Sequence, residues 1–290
     1  MTAAYAVRKI LLTFKLAGGK GIELASGNPG LRIYANVNFA NAPETGMANI
    51  RIHGMALDHM NELSVAGLVF EDLVGENYIT VKAGDDTSGM STIFTGSIMQ
   101  AYPDFARQPD VSFVVVASPA NDAQMKPVEP TTFPGATSVS TALDAIAKKA
   151  GLTAESNGVS AMLASPYFPG TAWQQFNGLV RAADAFGFLD GVNKVLAMWP
   201  KNGSRSGGKS IISPETGMIG YPQFQALNVI VRTMFTTEIQ PGVGKIISVR
   251  SQLSAANGDF EVYNVAHHLM TEMPDGPWET VISATPSKNL

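Results

Sequence analysis

The 290 residues include 20 Lys or Arg and 24 Asp or Glu, a charged share of 15%, against about 25% in an ordinary soluble domain. Hydrophobic residues make up 45% and the net charge is −4, which excludes intrinsic disorder and lacks the basic excess of a free-standing nucleic-acid binder. With no cysteine, disulfides and Cys-ligated zinc are excluded too, leaving a folded protein whose under-charged surface is suited to burial against partners.

Length fits roughly two or three domains. Met1 to Leu16 has neither the apolar run nor the cleavage site of a signal peptide, and no charge-free apolar run is long enough to span a membrane. Assembly in a cytoplasm is therefore expected.

The N-terminal strand alternates Ile10, Leu12, Phe14 and Leu16 with Leu11, Thr13 and Lys15, and ends in a turn at Gly18, Gly19 and Gly21. Leu31, Ile33, Ala35, Val37 and Phe39 alternate with Arg32, Tyr34, Asn36 and Asn38, which predicts a half-buried strand with one wet face. Further strands are expected at Asn49–His53, Tyr78–Ala83, Ile93–Met99 and Val111–Ala117, with a short helix on Leu57, Met60 and Leu63. Four prolines within Ser118–Pro134 predict a linker. Capping-box patterns at Thr141–Asp144 and Thr171–Gln174 begin two helices, stopped by Gly151 and Gly187. A strand is expected at Val192–Trp199, then a flexible polar joint at Lys201–Lys209. Strands at Leu227–Phe235, Lys245–Ser251, Phe260–Met270 and Trp278–Ala284 complete a meander, with Asn257-Gly258 as a hairpin signal. The layout is a β block (residues 1–120), a small α/β insert (121–205) and a second β block (206–290).

Gly203 to Ser210 fits the phosphate-loop pattern, but Ile211-Ile212-Ser213-Pro214 follows where a helix must begin, so nucleotide binding is rejected. His267 and His268 are strand neighbours pointing to opposite faces and cannot share a metal. His53 and His59 flank a bend, and His59 with Glu62 lacks a third ligand. Asp85 and Asp86 sit in a turn with Thr87, Ser88 and Gly89, where a solvated β-turn is the simplest reading. No nucleophile elbow lies between a strand and a helix. Methionines such as Met60, Met162 and Met198 read as core filler. No catalytic residue, cofactor site or metal site is expected.

Several segments, in order, resemble the baseplate hub proteins of long-tailed bacteriophages, of the late-control, tail-protein-D type, and the spike-bearing hub of contractile tails. They are Asn49-Ile50-Arg51-Ile52-His53-Gly54 with Met60-Asn61-Glu62-Leu63-Ser64, Val81-Lys82-Ala83-Gly84 with Ile93-Phe94-Thr95-Gly96-Ser97-Ile98, and Thr141–Leu152. Ser213-Pro214 with Gly217-Met218-Ile219-Gly220-Tyr221-Pro222, Gln240-Pro241-Gly242, Tyr263-Asn264-Val265-Ala266-His267-His268 and Trp278-Glu279-Thr280 follow.

The resemblance implies a mainly β chain whose two blocks are tube-like β barrels flanking the insert. It implies a homotrimer that joins a hexameric tail tube to a trimeric central spike and starts tube assembly, with tape-measure and baseplate wedge proteins as further neighbours. The genome would pass the lumen without specific binding, and the chain would not insert in a membrane. The candidate interface residues are Gln240, Pro241, Gly242 and Val243 in one hairpin and Asp85, Asp86 and Met90 in one loop. Uncharged strands and loops are expected at the junctions, with charges on the outer wall and lumen. The alternatives are a peripheral carbohydrate-binding or adhesin β protein, and an enzyme, either a nucleotide hydrolase or a metal-dependent glycan hydrolase.

Overall fold

The computed structural model describes residues 6–27, 30–64, 77–106, 108–237 and 242–287. β1 (Arg8–Lys15) and β2 (Gly21–Ala25) pair across the Gly-rich turn. In β3 (Arg32–Ala40), Ile33, Ala35 and Val37 are buried while Tyr34, Asn36 and Asn38 are half-buried, the alternation that the sequence predicts. β4 (Met47–His53) runs antiparallel to β3, and α1 (Leu57–Leu63) buries Met60 and Leu63 and leaves Leu57 exposed. β5 (Tyr78–Asp85) and β6 (Gly89–Asp104) form a long hairpin, and β7 (Ser112–Ser118) returns beside β6. Their inward side chains, among them Phe14, Ile50, Val81, Phe94 and Phe113, meet in one core that Phe235, Leu269 and Trp278 also enter.

The Pro-rich stretch expected as a linker holds α2 (Asn121–Met125) and β8 (Thr131–Thr132). β9 (Ala136–Ser138), α3 (Val139–Lys149), β10 (Thr153–Ser156), β11 (Met162–Ala164) and β12 (Tyr167–Phe168) lead to α4 (Ala172–Ala182), β13 (Ala185–Asp190) and β14 (Val195–Pro200). The three-stranded sheet β10-β14-β13 carries both long helices over a second core built on Leu143, Ile146, Phe176, Leu179 and Met198.

Two helix boundaries differ from expectation. α3 is capped by Ser138, whose Oγ accepts from the Thr141 N–H at 3.2 Å, because a second hydroxyl three residues upstream was available as the cap. The Thr171–Gln174 capping box forms as predicted, but α4 ends at Ala182 rather than at Gly187. Gly187 lies instead in β13, where a Cβ would come within 2.6 Å of the Phe176 ring.

The last part contains β15 (Ser210–Ile212), β16 (Gln223–Gln225), β17 (Asn228–Met234), β18 (Ile246–Val249), β19 (Gly258–Met270) and β20 (Trp278–Pro286). Asn257-Gly258 is not a two-residue hairpin. Residues 250–257 join β18 to β19 through a 3₁₀ turn, and the Asn257 side chain accepts from the Ser251 N–H and donates to the Ser251 carbonyl at 2.9 Å, which holds the wider loop. Val229, Val231, Ile247, Val262, Val265 and Ile282 fill a third core, closed on one side by Phe188, Ala197 and Trp199 from β13 and β14.

One 13-stranded sheet contains strands of both β blocks. Its joint is β19, whose first residues pair with β18 and whose Asn264–Met270 stretch pairs with β3. The main hydrogen-bonded path runs β16-β17-β20-β19-β3-β4-β7-β6-β5-β1-β2.

Candidate assembly surface

The loop that matches the phosphate pattern is pinned rather than flexible. Arg205 is 7% exposed; its Nε donates to Glu155 Oε1 at 2.8 Å, its Nη2 to Glu155 Oε2 at 2.9 Å, and both Nη atoms reach Asp190 Oδ2 at 3.3 Å. Hydrogen bonds from Arg205 hold the Glu155 carboxyl below the usual carboxylate range. The Ser206 N–H donates to Asn157 Oδ1 at 2.9 Å, Lys209 pairs with Asp259, and strand β15 follows instead of a helix. Composition suggested a joint, but a buried cation cannot leave its two carboxylates without a large desolvation cost.

The Arg205 N–H also donates to the Gly244 carbonyl at 2.7 Å. Gly244 has φ of 81°, and a Cβ there would sit 2.6 Å from the Trp199 ring, so the turn at residues 242–245 packs flat on the α/β part. Trp199 is fully buried and its Nε1 donates to Glu261 Oε1 at 2.6 Å. A cavity of about 130 Å³ at this seam is lined by Phe39, Phe188, Asp190, Arg205, Lys245 and His267, among others.

The histidines divide as their strand positions predict. His267 points inward, 7% exposed, with Nδ1 2.9 Å from Thr280 Oγ1 and edge-on contacts to Phe39 and Phe235. Burial, reinforced by the neighbouring His268, pushes its pKa down to about 4, so the ring is neutral at pH 7. His268 lies half-buried on the other face. Glu62 pairs with Lys20 and not with His59, and no group of three metal-binding side chains occurs among the described residues.

The candidate interface residues have separate fates. Gln240 and Pro241 lie outside the described residues. Val243 is 1% exposed and belongs to the third core; Gly242 lines the seam cavity. Asp85 Oδ1 accepts from the N–H groups of Thr87 and Ser88, the latter chiefly holding its carboxyl below the usual range. Asp86 Oδ1 accepts from the Val7 N–H at 2.9 Å. Both carboxylates therefore shape the turn, while Met90 remains exposed.

The surface that stands out was not named from sequence. The eight strands β16, β17, β20, β19, β3, β4, β7 and β6 follow one another in the sheet, and none contains a lysine. Cross-strand registers set Met234, Glu279, His268, Asn36, Asn49, Val116 and Gln100 in one row across the outer face. Tyr34, Arg51, Val114 and Tyr102 form another. Asn264 donates to Asn38 Oδ1 at 2.9 Å between the two β blocks.

The three arginines on β17, β3 and β4 are each neutralised. Arg232 pairs with Glu279 at 2.6 Å, Arg51 with Asp104 at 3.1 Å, and Arg32 with Asp110 at 2.8 Å. Burial and the field of Arg32 lower the His53 pKa, so this fourth basic group is uncharged at pH 7. The band is amide-rich and its charges cancel locally. The sequence signal for it was the absence of lysine from these segments, together with Asn at alternate positions of the wet face.

A baseplate hub family, described as "Baseplate hub gp41", matches residues 13–273. The chain belongs to the baseplate hub family. A hub is a structural component of the phage tail baseplate, and the role of this one is structural rather than enzymatic. In fold the hub is similar to the 43 kDa tail protein of prophage MuSo2 from Shewanella oneidensis, with 10% identity and a TM-score of 0.59 over 96% of this chain and 99% of that one. It is also similar to a tail protein from Neisseria meningitidis MC58, with 10% identity and a TM-score of 0.62 over 96% of each chain. A chain of the Francisella PdpA–VgrG complex matches with 7% identity and a TM-score of 0.51, over 98% of the hub and 58% of that longer chain. No curated protein matches the hub in sequence. Among the described residues no helix is long and apolar enough to cross a membrane.

Proposed function

We propose that three copies of this hub form a ring that joins the hexameric tail tube to a trimeric central spike and starts tube assembly, with the eight-strand band lining the channel. The observation that carries the channel assignment is the charge pattern of that band: no lysine, and every arginine on β17, β3 and β4 paired. DNA is held by cations that displace its counterions, so a lining without free cations lets a polyanion slide. The side-chain amides of Asn36, Asn38, Asn49 and Asn264 keep the face wet without charge.

In this reading residues 1–120 and 206–290 act as the two tube-like blocks, and residues 121–205 as the insert on the outside of the wall. Lys9, Lys15 and Lys82, on β1 and β5 beyond the band, then belong to the outer wall. The tube would contact one rim and the spike the other, with tape-measure and wedge proteins as neighbours. The fold shared with a chain of a PdpA–VgrG complex supports an assembly with partners. Virions would receive the hub after assembly in the host cytoplasm.

The test has two readouts. Sedimentation of the purified hub should give a mass of three chains, alone or with its spike; a hub that stays monomeric with tube and spike partners present sinks the proposal. DNA retention should be absent at physiological salt and should appear, salt-dependently, in an Asn36→Lys/Asn49→Lys variant, each added lysine steepening the salt slope by roughly one. Retention by the wild type that the variant leaves unchanged removes the channel assignment.

A further inference from the structure

From the edges of the lysine-free band, we infer that copies of the hub join head to tail by main-chain pairing between β16 of one copy and residues 98–104 of β6 in the next. This rests on the ring proposed above and names its joint. β16 hydrogen-bonds to β17 on one side, and among the described residues nothing pairs its other side. β6 is paired on both sides only in its first part: β5 covers Gly89 to Ser97, whereas Ile98 to Asp104 have β7 alone. The eight-strand band therefore ends in two free edges, one at each extreme of the path.

Free edges in a monomer are normally guarded by charge, lysine above all. These two are not. Residues 87–103 and 216–231 carry no charged side chain, and each edge displays apolar surface. Tyr102 and Phe105 are 44% and 48% exposed at one, and Tyr221, Phe224 and Leu227 are 63%, 55% and 85% exposed at the other. Phe224 is opposite Val229 and so lies on the core side of the sheet, yet it is uncovered. Pro103 sits where a missing N–H is tolerated, on an edge strand. The third end of the sheet, β2, is different: Glu23 stands on it and Lys20, paired with Glu62, precedes it. The chain guards the edge that stays in solvent and leaves bare the two that would meet.

A second copy is the occupant because strand direction matches. All seven steps from β16 to β6 are antiparallel, so β16 and β6 run in opposite senses. Rotation about a ring axis preserves the sense of each strand along that axis. The β16 of the next copy therefore meets β6 antiparallel, and the alternation continues around the ring without a break, with the polar face unbroken. Such heterologous contacts close when the rotation allows. The pairing of β3 with β19 already joins the two β blocks of one chain in this way.

Since the chain has no cysteine, the joint can be read by engineered cross-links. Gln100 and Tyr102 stand on the polar face of β6, and Gln223 and Gln225 on that of β16. Chains carrying Gln100→Cys or Tyr102→Cys together with Gln223→Cys or Gln225→Cys should, on mild oxidation, yield covalent dimers and trimers for at least one combination. The four single variants and a Glu23→Cys/Gln225→Cys control should not yield covalent trimers. Independently, Phe224→Lys, a change at an exposed site, should raise the protein concentration needed for the ring at least about tenfold by placing a lysine on a bare edge, with the monomer's thermal midpoint unchanged. A hub that sediments as a trimer, forms no cross-link in any combination and is indifferent to Phe224→Lys overturns this joint and leaves the ring standing. A hub that never associates overturns both.

Discussion

The eight-strand band and the α/β part built on α3, α4, β13 and β14 solve the problem of stability differently. The α/β part is local. Its helices and strands come from one stretch of chain, its helices are capped by Ser138 and Thr171, and it bears lysines such as Lys126, Lys148, Lys149, Lys194 and Lys201. The band is woven from distant segments, with Asn264–Met270 paired to residues 34–40, and has no lysine at all. The difference teaches where each surface is meant to be: the first is finished as an ordinary exterior, the second as a wall whose edges and face await other molecules. The seam between them, at Arg205, is where the contrast can be tested hardest.

The largest effect should come from Arg205→Ala. It leaves Glu155 and Asp190 as partly buried, unpaired carboxylates, and breaking such a group typically costs about 3–5 kcal/mol. Denaturant melts followed by tryptophan fluorescence, with Trp199 at the seam and Trp173 inside the α/β part, should show the two regions losing their common transition. A cost below about 1 kcal/mol would mean that apolar contacts alone hold the seam.

Next in size is the acid response of the band. His267 is neutral when folded, with a pKa of about 4 against 6.5 when unfolded. Between those values only the unfolded chain gains a proton, so stability present at neutral pH falls as the pH drops from 6.5 to 4, by on the order of 3 kcal/mol. His267→Gln should flatten that part of the pH–stability curve. The loss from Glu155, whose folded pKa is depressed, comes later, as the pH falls through the carboxylate range. A variant with an unchanged acid slope between pH 6.5 and 4 would remove His267 as its source.

A smaller change is expected at the helix cap. Thr171→Ala deletes the side-chain acceptor for the Gln174 N–H, and should cost about 1 kcal/mol in thermal unfolding. Thr171→Ser should restore it. Smallest of all is Arg232→Ala: the Arg232 side chain is 49% exposed in its pair with Glu279, so stability should shift by less than about 1 kcal/mol. That variant should leave DNA retention absent, since it removes a cation from the proposed channel wall; weakened folding beyond that limit would mark the pair as structural.

What could be seen in the sequence followed the range of the forces involved. Strict alternation in β3 and β4, and the box at Thr171–Gln174, depend on neighbours a few residues away, and they appear where expected. β6 was expected only over Ile93–Met99, because Gly89, Gly96 and Pro103 look like breakers, yet it runs from Gly89 to Asp104 under the support of β5 and β7. Lys201–Lys209 looked flexible because Gly and Ser dominate it; the one residue that pins it, Arg205, acts through carboxylates 15 and 50 positions away. Val243 was expected at an interface and packs inside, as tertiary contacts rather than its turn neighbours decide where it points. The band itself was invisible for the same reason: each strand is ordinary, and only their order in the sheet reveals a continuous lysine-free face.

The 13-residue strand β19 also sets a timetable for synthesis. Residues of the first core, laid down early, remain without Leu269 and Trp278 until the ribosome has delivered the last part of the chain. β3 has no partner on its β19 side until then. A nascent hub thus cannot complete its wall while it is still being translated, and its bare edges at β6 and β16 come into register only in a finished molecule. Polymerisation on the polysome is delayed by topology alone, without a chaperone or a cleaved leader.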